Sequence, residues 1–178
     1  MQQAQLDLLV LALQAGDKRA FAVLYQHYQR DLYRFSVFLL GQPAAAEDLV
    51  HNVWLKVSKR IHRLQDPRVF TSWLYRAVRW EVLDYQKQPG QRQQSLEQQD
   101  GLQTTALLTA CNSEPVNQQK DLAKALALLA ANERLVLQLH YLHELELTQI
   151  ALILDVPLGT VKSRLHRARQ QMQQHLTA

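Results

Sequence analysis

Between Thr160 and Gln170 the chain places Lys162, Arg164, Arg167 and Arg169 among Ser163, His166 and Gln170. These side chains suit nucleic acid. Arginine can donate two bonds to guanine O6 and N7, Ser163 can donate or accept, and the other cations can neutralise phosphates. Val161, Leu165, Ala168 and Met172 recur at helical spacing, so at about 100° per residue they form one stripe. Ser163, His166, Arg167 and Gln170 point the opposite way, with Lys162, Arg164 and Arg169 on the flanks. Upstream, Leu147, Ile150, Ala151 and Leu154 make a shorter apolar stripe that Asp155 and Val156 break. Pro157 suits the first position of a new helix, because a first turn does not need the donor that proline lacks. A short helix, a tight turn and a second helix with a basic outer face make a helix-turn-helix, whose second helix enters the major groove. The plainer alternative is a solvated amphipathic helix, which basic composition alone supports equally well.

A second stretch, Asp66 to Lys87, interleaves Phe70, Trp73, Tyr75, Trp80 and Tyr85 with Arg68, Arg76, Arg79 and Lys87. Flat rings for unstacked bases alternating with cations for phosphates is what binding of single-stranded DNA requires. The competing reading is a core helix: Trp73, Leu74, Ala77, Val78 and Val82 can line a buried side after the Asp66-Pro67 loop. A third stretch, Ala46 to Lys59, sets Leu49, Val50, Val53, Trp54 and Val57 inward and puts Glu47 and Asp48 near the expected helix start. There the dipole favours negative charge, so those acids need no function beyond starting a helix.

Other chemistry lacks its motif. The sequence has no glycine-rich phosphate loop, nucleophile elbow or metalloprotease helix, and no enzyme activity is expected. His140 and His143 stand three apart beside Glu144, but no third and fourth ligand follow at zinc spacing. They are read as helix-surface histidines, and neither metal nor cofactor is expected.

The elements that must carry these stretches are helical. Apolar residues make up 47% of the 178 positions, enough for packed cores, while 7% aromatic residues and five glycines argue against a β-rich chain. Leu6, Leu9, Val10 and Leu13 mark a helix over residues 4–15 that Gly16 ends, and Asp17 can cap the next one, which runs through Phe21, Leu24, Tyr25 and Tyr28. Leu32, Phe35, Phe38 and Leu39 extend the series to a break at 41–43. From Gln86 to Asn117 the composition turns to Gln, Ser, Thr, Gly and Pro, too polar to offset its ordering entropy, and reads as a linker in which 102–108 can form a transient helix. Beyond it, Leu122, Leu126 and Leu129 mark one helix and Leu135, Leu139 and Leu142 another, with Asn132 as its cap.

Charge follows the same division. The net charge is +4, with basic excess in residues 1–92 and 120–178 and only acids, three of them, in residues 93–119. Two basic segments around an acidic connector suit two nucleic-acid contacts better than one. The single cysteine, Cys111, rules out an intramolecular disulfide and suggests a reducing compartment. No apolar run reaches spanning length and no signal-peptide pattern opens the chain, so a cytoplasmic protein without membrane insertion is expected.

The run VPLGTVKSRLHRAR, preceded by LTQIALILD, closely resembles the promoter-reading C-terminal domain of extracytoplasmic-function sigma factors, the compact branch of the sigma-70 family. AEDLVHNVWLKV resembles the segment by which sigma factors dock on the clamp helices of the RNA polymerase β′ subunit, and FTSWLYRAVRWEVLDY resembles the part that captures the melted −10 element. The three stretches stand in the family's order. The resemblance implies contacts with the −35 element from Thr160, Lys162, Ser163, Arg164, His166 and Arg167, with melted DNA from Phe70, Arg76, Arg79 and Trp80, and with core polymerase from Glu47, Asp48, His51 and Asn52. The family commonly has Gln and an acid where His51 and Asn52 stand, an asparagine at Trp80, a serine at Glu146 and a proline at Ala130.

The expectation is therefore an all-α protein of two small helical domains joined by a flexible linker. Residues 1–90 would bind core polymerase and the −10 element, 91–117 would connect, and 118–178 would form the helix-turn-helix that reads the −35 element. The resemblance implies core RNA polymerase and promoter DNA, duplex and single-stranded, as partners. Many members are also held inactive by an anti-sigma factor. The rival reading is a stand-alone helix-turn-helix regulator, which would bind duplex DNA without polymerase.

Overall fold

The computed structural model describes residues 2–87 and 124–177, and among them every regular element is helical. The chain divides into two compact units, Met1–Arg92 and Gln93–Ala178. The acidic connector over 91–117, the helix expected at 102–108, Leu122 and Cys111 lie outside the described residues. No described helix is long and apolar enough to cross a membrane.

The first unit packs four helices, α1 (Gln3–Gln14), α2 (Lys18–Leu40), α3 (Pro43–Arg60) and α4 (Phe70–Lys87). Gly16 turns the chain after α1 at φ 90°, a left-handed conformation that costs a Cβ-bearing residue more. Asp17 then caps α2, its carboxylate accepting from the Arg19 N–H at 2.8 Å. Gly41, at φ 70°, closes α2 by donating to the Val37 carbonyl at 2.7 Å. Val10, Leu24, Leu32, Phe35, Val50, Val53, Leu74 and Val78 are fully buried between these helices.

Helix α3 begins three residues earlier than its apolar pattern suggests. Pro43 occupies its first turn, where the missing donor has no cost. Glu47 and Asp48 therefore fall beyond the first turn, which holds no acid, and the helix dipole does not account for them.

Between α3 and α4 run two short 3-10 turns, Ile61–Arg63 and Pro67–Val69. Gln14 fixes this connection from α1: its amide nitrogen donates to the carbonyls of Ile61 at 3.0 Å and Leu64 at 2.6 Å. Asp66 caps the second turn through the Arg68 N–H at 3.0 Å and holds the Arg68 guanidinium at 2.9 Å. Those hydrogen bonds keep the Asp66 carboxyl below its usual range. Lys56 and Glu81 form an ion pair between α3 and α4.

The second unit has a helical run at 124–128, followed by α5 (Ala131–Tyr141), α6 (Leu147–Leu154) and α7 (Leu158–Thr177). Leu126, Leu129, Val136, Leu139, Ile150, Ile153, Val161, Leu165 and Ala168 form its core. Asn132 does not cap α5; the N-cap is Ala130, whose carbonyl accepts from Glu133 at 2.9 Å and Arg134 at 3.0 Å. Asn132 thus lies inside the first turn, where its side chain cannot serve the cap.

Asp155 makes the turn between α6 and α7 by adopting φ 57°, a left-handed conformation that short polar side chains tolerate. The backbone N–H groups of Asp155 and Val156 both return to the Ala151 carbonyl. Pro157 precedes α7 rather than opening it. Its carbonyl accepts from Thr160 at 2.9 Å and Val161 at 3.3 Å, so its fixed φ prepares the helix from the cap position.

Candidate nucleic-acid interface

Helix α7 separates its two faces cleanly. Val161, Leu165 and Ala168 are 0%, 3% and 0% exposed, while Lys162, Ser163, His166, Arg167, Arg169 and Gln170 are exposed. Thr160, Arg164 and Met172 lie half-buried at the margins. Ser163 Oγ donates to the Thr160 carbonyl at 3.0 Å, which fixes the hydroxyl at the start of the outer face. Gly159 has ordinary helical backbone, and a Cβ there would meet nothing within 4 Å. Nothing in the fold requires glycine at this position, although it weakens a helix by about 0.5–1 kcal/mol relative to alanine. Room for an outside group beside Thr160 is its visible effect.

Two of the cations on α7 are engaged from α5. Arg169 Nε donates to the Tyr141 hydroxyl at 2.7 Å, and its guanidinium lies 5.5 Å from the centre of that ring. Arg167 Nη1 stands 3.9 Å from Glu133 Oε1. Glu133 is a buried carboxylate, 6% exposed, in the first turn of α5. Nothing in the sequence marks it, because an acid at a helix start is an ordinary surface choice and spacing does not disclose burial.

Helix α4 mixes its candidates with the core. Trp80 is 46% exposed, a ring available for stacking. Arg76 and Arg79 are half-buried beside it in sequence. Phe70 is different. It is 2% exposed and packs edge-on to Tyr28, with ring centres 5.8 Å apart, and against Trp73 at 6.2 Å. With so little of the ring exposed, Phe70 has a packing role here, and the contact with a flipped base expected from the sequence is not favoured by this burial.

Thr71, Ser72 and Tyr75 are also buried, whereas Trp73 and Ala77, expected inside, are only half-buried. The Tyr28 hydroxyl meets Thr71 Oγ1 at 2.6 Å. Burial raises the Tyr28 pKa above its ordinary value and moves Tyr75 far higher still, so both phenols stay neutral. The inward face of α4 is rotated toward its N-terminal aromatic cluster. Ahead of it, the turns over 61–69 leave His62, Arg63 and Arg68 exposed, three basic side chains that the periodicity of α4 could not reveal.

On α3, Glu47, Asp48, His51 and Asn52 are all exposed. Leu55, 48% exposed, continues the same surface. Positions 48, 52 and 55 share one helix face, so an apolar residue on an otherwise polar stripe was the available signal for Leu55. Behind this face Trp54 donates to Gln29 Oε1 at 2.9 Å and packs edge-on to Phe21 and tilted against Tyr25, with ring centres 5.6 and 5.2 Å away. Glu47 also borders a groove of about 490 Å³ with Tyr25, Gln26, Gln29, Arg30 and Tyr33.

Among the described residues no group of three or more His, Cys, Asp or Glu is placed to hold a metal. His140 is half-buried on α5, with Nδ1 3.0 Å from the Leu145 carbonyl. His143 falls past the end of the helix, so the two do not form the helix-surface pair expected from spacing.

Two family models match the chain: Sigma-70 region 2 over residues 24–92 and Sigma-70 region 4 over residues 119–172. Together they cover more than two thirds of it. The ECF RNA polymerase sigma factor SigW of Bacillus subtilis is 29% identical over 175 residues, spanning 90% of this chain and 91% of the relative. The ECF RNA polymerase sigma-E factor of Escherichia coli is 27% identical over 173 residues, spanning 92% and 90%. Among solved structures, CnrH in complex with the cytosolic domain of CnrY shares the fold at a TM-score of 0.68, with 19% identity and 97% of each chain covered. The sigma factor RpoE of Bartonella quintana, in complex with the anti-sigma factor NepR, gives 0.63, with 22% identity and 89% and 97% covered. With region 2 on the helices that carry the exposed acids and Trp80, and region 4 on the helix-turn-helix, the chain belongs to the extracytoplasmic-function branch of the sigma-70 family of RNA polymerase sigma factors.

Proposed function

We propose that this sigma factor uses its three exposed faces in a fixed division of labour. Glu47, Asp48, His51 and Asn52, with Leu55 among them, dock on the β′ clamp helices of core RNA polymerase. Trp80 stacks on a base of the melted −10 element while Arg76 and Arg79 meet its phosphates. Thr160, Lys162, Ser163, Arg164, His166 and Arg167 contact the −35 element, with Gly159 leaving space for close approach of the DNA. The observation that carries this reading is the two-sided character of α7: Val161, Leu165 and Ala168 are buried, while Lys162, Ser163, His166 and Arg167 lie outside. A major groove accepts such a helix and reads it by hydrogen bonds from its outer face.

The chain itself makes and breaks no covalent bond in this scheme. It lends core polymerase the ability to recognise two DNA elements and stabilises strand separation through the exposed Trp80 ring and the half-buried cations of α4. It acts in the cytoplasm, with polymerase. An anti-sigma factor is proposed as its regulator, since the similar RpoE and CnrH are seen with an anti-sigma factor and with the cytosolic domain of CnrY.

Transcription by core RNA polymerase, with purified protein and a promoter-fragment library, tests the assignment. Initiation from one shared two-element promoter is expected. Asp48→Arg should reduce initiation and core binding together while duplex binding by the isolated protein is unchanged, because the substitution repels a partner that only the polymerase reading requires. Arg167→Ala should reduce discrimination at the upstream element by about tenfold or more. An Asp48 variant that binds core polymerase and initiates normally would remove Asp48 from the docking face, whereas no core binding and no initiation by the unaltered protein, with duplex binding retained, would leave a stand-alone helix-turn-helix regulator as the better account.

A further inference from the structure

Glu133 presents a buried negative charge with too few partners. Only 6% of the residue is exposed, Oε2 is buried without a hydrogen-bond partner, and Oε1 faces Arg167 Nη1 at 3.9 Å. A carboxylate removed from water is stable only when paired and hydrogen-bonded. The first turn of α5 supplies a favourable dipole, and Arg167 supplies the opposite charge. Arg167, meanwhile, keeps 61% of its side chain in solvent. Its Nη1 lies within ion-pair distance of Glu133, beyond hydrogen-bond range, and most of the side chain stays in solvent. Arginine has five N–H donors in a rigid planar fork, so it can serve a carboxylate on one edge and a base or phosphate on another.

We propose that Glu133 is the positioning residue for Arg167: by anchoring one edge of the guanidinium to α5, it presents the other edge to the −35 element in a fixed orientation and so sets base discrimination there. This rests on the reading of α7 as the upstream-element helix. Glu133 touches no DNA. It acts through Arg167, in contrast to Tyr141, whose ring and hydroxyl hold Arg169 at the opposite flank of α7. Because Glu133 carries a charge of the same sign as DNA, its two effects oppose: it lowers general affinity for any duplex and raises selectivity for the right one.

That opposition gives the test a signature that a purely structural residue would not produce. Holoenzyme assembled from core polymerase and the full chain is assayed on its selected promoter and on variants carrying every single base-pair change in the upstream element. Glu133→Gln, which preserves shape and removes charge, should lose about tenfold of discrimination at the same base pair that Arg167→Ala affects. Its binding to unrelated duplex should stay equal or rise, and the double variant should discriminate no worse than Arg167→Ala alone. Arg167→Lys, which keeps the charge but loses the fork, should reproduce the loss and guards against a Glu133 variant that unfolds. Unchanged discrimination in Glu133→Gln, uniform loss across all sequences, or additive effects in the double variant would overturn the proposal. Failure of the unaltered protein to initiate from any promoter would instead overturn the sigma-factor site assignment on which it rests.

Discussion

Helices α4 and α7 both carry cations at intervals suited to phosphates, yet they differ in how much of their surroundings is protein. Helix α7 packs on one side, against α5 and α6, and its buried positions form a single stripe. Helix α4 packs against α2, α3 and the Pro67–Val69 turn, and near its start Phe70, Thr71, Ser72, Leu74 and Tyr75 are all buried. A helix packed on one side only keeps the arithmetic of its period, and its outer face can be named by position. A helix wedged among several neighbours buries most of its circumference. In α4, the aromatic and basic alternation therefore serves two ends at once: Phe70 and Tyr75 hold the domain together, and Trp80 is left outside.

Phe70→Ala should have the largest effect on the first unit. Loss of a fully buried ring should cost about 3–5 kcal/mol, measured by urea denaturation of the protein without polymerase or DNA. Loss of promoter opening at undiminished stability would return Phe70 to the DNA interface. Trp80→Ala should behave in the reverse manner. Half-exposed and outside the core, it should leave the denaturation midpoint nearly unchanged while weakening binding of a single-stranded −10 fragment by holoenzyme by about 1–3 kcal/mol. Equal binding by the variant would make Trp80 a surface residue of no consequence to DNA.

The smallest effect lies on α7. Gly159→Ala should stabilise the second unit by about 0.5–1 kcal/mol, since the backbone is helical and the added methyl meets nothing. The same methyl should lower affinity for duplex −35 DNA if the space beside Thr160 receives the DNA backbone. A variant both more stable and equally tight would show that the space is unused.

Much of the candidate site could be read from residue order, and the exceptions share a cause. The outer face of α7 follows from Val161, Leu165 and Ala168 alone, and the cap at Asp17 from one carboxylate two residues before Arg19. Each is a local property, decided within a turn or two of helix. The start of α3 is not legible in the pattern because Pro43 to Ala45 carry no large apolar side chain, and periodicity is silent about a helix end that makes little core contact. Once the start moved, Glu47 and Asp48 lost their helix-dipole explanation and became exposed acids in need of another.

The helical class, the tight turn before α7, the two faces of that helix and the order of the stretches that place the chain in its family are written in residue order. Those follow from 3.6-residue periodicity, left-handed turn positions and side-chain chemistry, which act over short separations. Three features come from packing between distant segments: Phe70 is buried beside Tyr28 and Trp73, Gln14 secures the connection ahead of α4 from 47 and 50 residues away, and Glu133 is buried behind Arg167. Burial against a second or third element depends on which distant segments meet, and the spacing of residues within one helix carries no record of that.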